Sequence, residues 1–195
     1  MSRGLGDVYK RQISGFVSLL LDLFKEHLYD ELGFDNLEEK QLLDAEARAR
    51  YYRGIGMLMQ EHKMILGDYP FSRLQKPALE KLAAKHHYAV ITIRLEADIK
   101  VLYDRQRKRD LSDPRHLGHL MNHYHRGDTL ENISETPDGM PTFEVFSNRV
   151  QDRGYQTFQL GQLIRVDVND YGAVDYGGLV EALREAIRGV EFLTR

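Results

Sequence analysis

A chain of 195 residues holds one compact domain and is short for two, so a single core is expected. Apolar residues at 42% and charged residues at 29% are ordinary for a globular chain, and a net charge of −3 supplies no general basic field for nucleic acid, so any anion site has to be local. The absence of cysteine excludes disulfides and thiolate zinc sites. The longest apolar stretch, Ile13 to Phe24, is broken by Ser14, Gly15, Ser18 and Asp22 and falls short of a membrane span, which makes a soluble, cytoplasmic protein the expectation.

In chain order, residues 1–12 show neither a strand nor a helix period and no signal-peptide apolar region. They resemble translated sequencing-adapter sequence and are expected to be a non-native or disordered tail. Phe16 to Leu21 reads as a short buried strand with Asp22 at its end and a helix from Leu23 to Leu32, or else as one helix from Gly15 onward. Gly33 has the place of a C-terminal cap. Asn36 with Glu38 and Glu39 reads as an N-cap with an acidic first turn, opening a long helix that runs to His62. Residues 63–67 form a strand ending at Asp68, Pro77 opens a helix to His87, and 89–95 is a second strand, apolar enough to be buried on both faces of a parallel sheet. A helix over 97–110 carries Arg105, Arg107, Lys108 and Arg109. The polar excursion 111–140 is expected to be a lid-like insertion containing a helix from His116 to His125 and a turn at Thr136–Gly139. A helix over 142–153, a strand over 162–168 and an amphipathic helix from Leu179 to Ile187 close the chain. Strands alternating with helices predict an α/β fold with a parallel sheet and helices on both faces.

Asp22, Asp68 and Asp167 each fall at or near the C-terminal end of a strand, where the crevice of an open α/β sheet lies. Helix capping and turn formation are the competing reading of all three, and the favoured one for Asp167. Arg105, Arg107, Lys108, Arg109 and Arg115 form the densest cationic run. Arg105 and Arg109 are four apart, so they share a helix face and could reach one polyphosphate, though a solvated charged face is an equal alternative. His116, His119 and His123, with Asp113 and Asp128 nearby, have helical spacing compatible with zinc, but no motif with an intervening Glu accompanies them, and surface histidines are the favoured reading. Strand, acid, helix, strand and arginine-bearing helix together have the layout of a phosphoryl-transfer domain.

Leu21-Asp22-Leu23-Phe24-Lys25-Glu26, the strand ending in Asp68-Tyr69-Pro70-Phe71, the strand at 89–95, and Leu102-Tyr103-x-Arg105-x-x-x-Arg109 followed by Arg115-His116-x-x-His119 resemble the P-loop kinases of the predicted-kinase, zeta-toxin and polynucleotide-kinase neighbourhood, over about residues 16–190. The resemblance implies a three-layer P-loop fold and ATP-dependent phosphoryl transfer, with Mg2+, to a hydroxyl of a small molecule or nucleotide. It implies that Asp22 orients or deprotonates the acceptor and that Asp68 lies near magnesium. It also implies that Arg105 and Arg109 neutralise charge on the transferring group, that Arg109 and Arg115 contact phosphate, and that Asp167 lies on the adenine side. Such kinases begin with a strand and G-x-x-x-x-G-K-[ST], whose amides and lysine hold phosphates. No such sequence occurs in the 195 residues, so the chain is expected to be impaired, with a non-catalytic α/β binding module as the alternative. The acceptor and the oligomeric state are not readable from the residues.

Overall fold

The computed structural model describes residues 15–112, 115–129 and 138–193, so the adapter-like stretch, Asp113 and the first half of the expected turn at 136–139 lie outside the described residues. The elements run β1 (Phe16–Leu19), α1 (Leu21–Leu32), α2 (Leu37–Gln60), β2 (Met64–Gly67), α3 (Lys76–His86), β3 (Ile91–Glu96), α4 (Ile99–Ser112), α5 (Phe143–Arg153), β4 (Gln162–Asp167) and α6 (Tyr176–Leu193). The fold is mixed α/β with short parallel sheets. Cα packing divides it into two units, one of residues up to Tyr69 with Gln106–Thr142, the other of Pro70–Arg105 with Phe143 onward.

In the first unit β1 pairs with β2 in parallel, from Phe16 opposite Met64 to Leu19 opposite Gly67. A strand followed by a helix is therefore the correct reading at 16–32. Gly33 ends α1 at φ 65, and its amide donates to the Tyr29 carbonyl at 2.9 Å. That left-handed conformation favours glycine. A Cβ there would meet His125 Cδ2 at 2.5 Å and the Tyr124 carbonyl oxygen at 3.0 Å, so the position is closed to a side chain on both counts. Asn36 caps α2, its Oδ1 accepting from the Glu39 amide at 3.0 Å while Glu39 Oε2 accepts from the Asp35 amide at 2.7 Å, a reciprocal box across the first turn. The core of this unit is helical and aromatic: Leu21, Leu28, Tyr29, Ala47 and Tyr51 from α1 and α2, with Phe34, Leu120, Met121 and Tyr124.

In the second unit β3 pairs with β4 in parallel, from Ile91 opposite Gln162 to Glu96 opposite Asp167. Alternation along the strands puts Ile91, Ile93 and Leu95 with Ile164 and Val166 on one face, and Thr92, Arg94 and Glu96 with Arg165 and Asp167 on the other. The expectation of a strand buried on both faces is corrected here: no residue of β3 is fully buried and Leu95 is 46% exposed. One face carries the charges of Arg94, Glu96 and Arg165, and on the opposite, apolar face Leu95 is left exposed. Phe71 stacks on Phe158 at 5.8 Å, and Phe146, Val150, Val168, Leu179, Leu183 and Ala186 complete this core.

The expected helix from His116 to His125 is also corrected. Only Leu117–His119 forms a single 3-10 turn, after which Phe34 and Tyr124 make an antiparallel bridge through two backbone bonds of 2.8 Å. The glycine at 118 and the bridge compete with helix continuation, so helical spacing does not govern the histidines. Among the described residues no helix is long and apolar enough to cross a membrane.

Candidate functional site

The parallel register of β1 and β2 fixes the geometry of the two foremost candidates. Leu19 lies opposite Gly67, so Asp22, three residues on, and Asp68, the next residue, follow the same ends of paired strands. Both are exposed. Asp22 stands in the first turn of α1, where the helix dipole favours a negative charge, and Leu20 before it contributes no side-chain cap. Buried Tyr51 of α2 feels the Asp68 charge: burial first, then Tyr52 and Asp68, push its phenol well above the ordinary range.

One face of α1 continues from Asp22 through residues that sequence reasoning missed. Glu26, one turn on, faces His119 with Oε1 at 3.1 Å from Nε2, and Asp30 faces His116 Nε2 at 3.1 Å while accepting from the Tyr124 hydroxyl at 2.6 Å. Burial raises the Glu26 carboxyl, an effect that His116 opposes and Asp22 reinforces. Burial likewise lowers His119, helped by the cations Arg115 and Lys25, to about 3. Asp30 is held below its ordinary value, chiefly by the Tyr124 hydrogen bond. On the other side of α1, Lys25 reaches Asp44 at 3.1 Å, and the Tyr29 hydroxyl donates to the same carboxylate at 2.5 Å, tying α1 to α2. The i, i+4 spacing of Asp22, Glu26 and Asp30 was available in the sequence, but their partners lie 86 to 94 residues away.

The cationic candidates divide. Arg109 and Arg115 converge on Asp110, whose side chain is 7% exposed: Arg115 Nη1 donates at 2.6 Å and Arg109 Nε at 3.4 Å. Asp110 too was missed in the sequence, where it read as part of a solvated helix. Arg105 is held differently, its guanidinium donating to the carbonyls of Val168 and of Asn169, the latter at 2.7 Å, and lying 3.9 Å from the centre of the Tyr171 ring. Its hydrogen bonds fasten the loop after β4. Arg105 and Arg109, although four apart on α4, therefore serve different partners.

Asp167 closes an Asx turn, Oδ1 accepting from the Asn169 amide at 2.8 Å, while Asn169 Oδ1 accepts from the Asp98 amide at 2.8 Å. Beside it Glu96 is gripped by Arg165, through bonds of 2.8 to 3.1 Å, and by Arg94 at 2.7 Å; Arg165 is the larger cause that brings its carboxyl down to about 2. Among the described residues no group of three or more acidic, histidine or cysteine side chains could hold a metal ion, and His116 and His119 are engaged with carboxylates of α1.

No family model and no curated protein matches the chain. Among solved structures it is similar to a "putative kinase" from Chloroflexus aurantiacus J-10-fl, with a TM-score of 0.59 and 19% identity over 89% of this chain and 82% of that one. At that identity the likeness establishes a shared α/β fold.

Proposed function

We propose that this chain is a phosphotransferase domain of P-loop kinase type, acting on a hydroxyl of a small molecule or nucleotide with ATP as donor. The observation that carries the reading is a pair of exposed carboxylates beyond the paired ends of β1 and β2, Asp22 in the first turn of the helix that follows β1 and Asp68 directly after β2, in a fold shared with a protein described as a kinase. In this reading Asp22 orients the acceptor hydroxyl and takes its proton, and Asp68 holds Mg2+. Arg109 and Arg115, gathered by Asp110, contact phosphate. Arg105 and Asp167 order the loop after β4.

The donor set at Asp68 suits magnesium, a hard cation that takes one or two carboxylates and keeps several waters. When bound, the ion supplies charge neutralisation at the transferring group. For the triphosphate the chain offers arginines but no G-x-x-x-x-G-K-[ST] cradle, so turnover by these residues alone is expected to be weak or nil. The test is calorimetry with Mg-ATP on the chain alone and on a version carrying a glycine-rich strand-loop-helix ahead of Phe16. Binding by the extended version, weakened at least tenfold in Arg109→Ala and Arg115→Ala, is the expected outcome. Absence of binding in both versions overturns the reading.

A second reading, a non-catalytic α/β binding module, is favoured by the hydrogen bonds that tie Arg105 to loop carbonyls and Arg115 to Asp110. It predicts that substitution of Arg105 lowers stability and leaves nucleotide affinity unchanged.

A further inference from the structure

Within the first unit, the segment from Arg115 to Asp128 is fastened to α1 and α2 by two imidazoles as well as by apolar contacts. His116 and His119 bond to Asp30 and Glu26 of α1, Tyr124 bonds to Asp30, Lys40 of α2 donates to the Met121 carbonyl at 2.6 Å, and Tyr124 bridges Phe34. Beneath them lies the cluster of Tyr29, Phe34 and Tyr124, each at most 6% exposed, with the rings of both histidines against Tyr29 at 5.8 to 5.9 Å.

We propose that this fastening is a proton-sensitive clasp, in which the segment Arg115–Asp128 stays docked on α1 only while His116 and His119 are both neutral, and acid releases it. The geometry at His116 requires the neutral ring. Its Nδ1 accepts the Gly118 amide at 3.1 Å, so the ring proton lies on Nε2 and is donated to Asp30. A second proton on Nδ1 would face the Gly118 N–H and break the turn that presents His119. At His119, only 9% of the side chain is exposed, and a charged ring would be desolvated among cations. The groups facing the pair are Asp22, Lys25, Glu26 and Asp30 from α1, Lys40 from α2, and Arg115 with Arg126 from the segment, Arg115 being paired to Asp110 of α4.

His119 falls from its ordinary 6.5 to about 3 in the docked state, so its contribution to docking is present above 6.5 and is lost as pH falls below that value. Glu26, raised by burial, takes up a proton more readily when docked and offsets part of this on the acid side. An imidazole that protonates near 6.5 only when released, as at His119, raises the release constant about tenfold between pH 7.5 and 5.5.

The experiment is amide hydrogen exchange on the full chain at pH 7.5 and 5.5, corrected for intrinsic rates, following the Phe34, Gly118 and Tyr124 amides with α3 amides as reference. The expected result is a fall in protection of about tenfold at the three amides with α3 unchanged, and a smaller fall in His119→Gln, which keeps a donor towards Glu26. Equal protection at the two pH values overturns the proposal, as does an undiminished response in His119→Gln. Imidazole proton NMR on the unmodified protein decides the matter if the variant does not fold. Titration of either ring near 6.5 with the three amides still protected overturns the proposal, and rings that stay neutral until protection falls support it.

Discussion

Single side chains in this molecule are defined by the carboxylate that holds them. Glu96 shows the physical cost most directly: with its carboxyl near 2 against an ordinary 4.5, it stabilises the folded state above pH 4.5, and that contribution drains away as pH falls from 4.5 towards 2. Because the pair is largely solvated, screening limits its worth to at most about 1 kcal/mol. Carboxyl carbon NMR should show Glu96 titrating near the bottom of this window, and Glu96→Gln should flatten the acid limb of the stability curve by that amount. Asp68 behaves oppositely. It is exposed at a strand end, so Asp68→Asn should change stability by no more than about 0.5 kcal/mol. In a version that turns over Mg-ATP, the same substitution should lower phosphotransfer by about a hundredfold or more, a separation read by parallel denaturant melts and assays. Asp22 and Asp68 were legible as candidates because strand ends are visible in an apolar run. Glu26 and Asp110 were not, because nothing in their local spacing announces a partner so far along the chain.

Elements form where local chemistry and packing agree. The Asn36–Glu39 box makes the start of α2 a local decision, and Asn36→Ala should cost about 1 kcal/mol, read as a lower denaturant midpoint at unchanged slope. The start of β4 is decided by contact instead. Gly161 sits at φ 69, and a Cβ there would come within 1.9 Å of the Val90 carbonyl oxygen, the group that accepts the Gln162 amide and opens the β3–β4 ladder. Gly161→Ala should therefore cost more than the roughly 1 kcal/mol of a strained φ alone and should abolish protection of the β3 and β4 amides first. The histidine segment marks the limit of periodic reading. Spacings of three and four suggested a helix, but the Phe34–Tyr124 bridge and the docking of both imidazoles on α1 stabilise a 3-10 turn and extended chain instead.

At the scale of the molecule, two two-stranded parallel sheets and ten principal elements are present among the described residues, and the packing falls into two units. The order of strands and helices, the caps at Gly33 and Asn36, and the acids at strand ends were determined by the sequence itself, since periodicity, turn chemistry and capping act over a few residues. Pairing of β1 with β2 and of β3 with β4, the partial exposure of β3, the capture of Arg105 by carbonyls 63 and 64 positions away, and the gathering of Arg109 and Arg115 on Asp110 were decided only by tertiary structure. Arg105 separates the readings at this scale: Arg105→Ala should destabilise the fold by about 1 to 3 kcal/mol, through two carbonyls losing a charged donor, and calorimetry on the extended version shows whether nucleotide affinity falls with it. The physical reason for the division is range. A hydrogen bond to a neighbouring amide is specified by the residues that flank it, whereas an ion pair or a strand register between distant segments exists only once burial has brought those segments together and excluded the water that would otherwise satisfy each group separately.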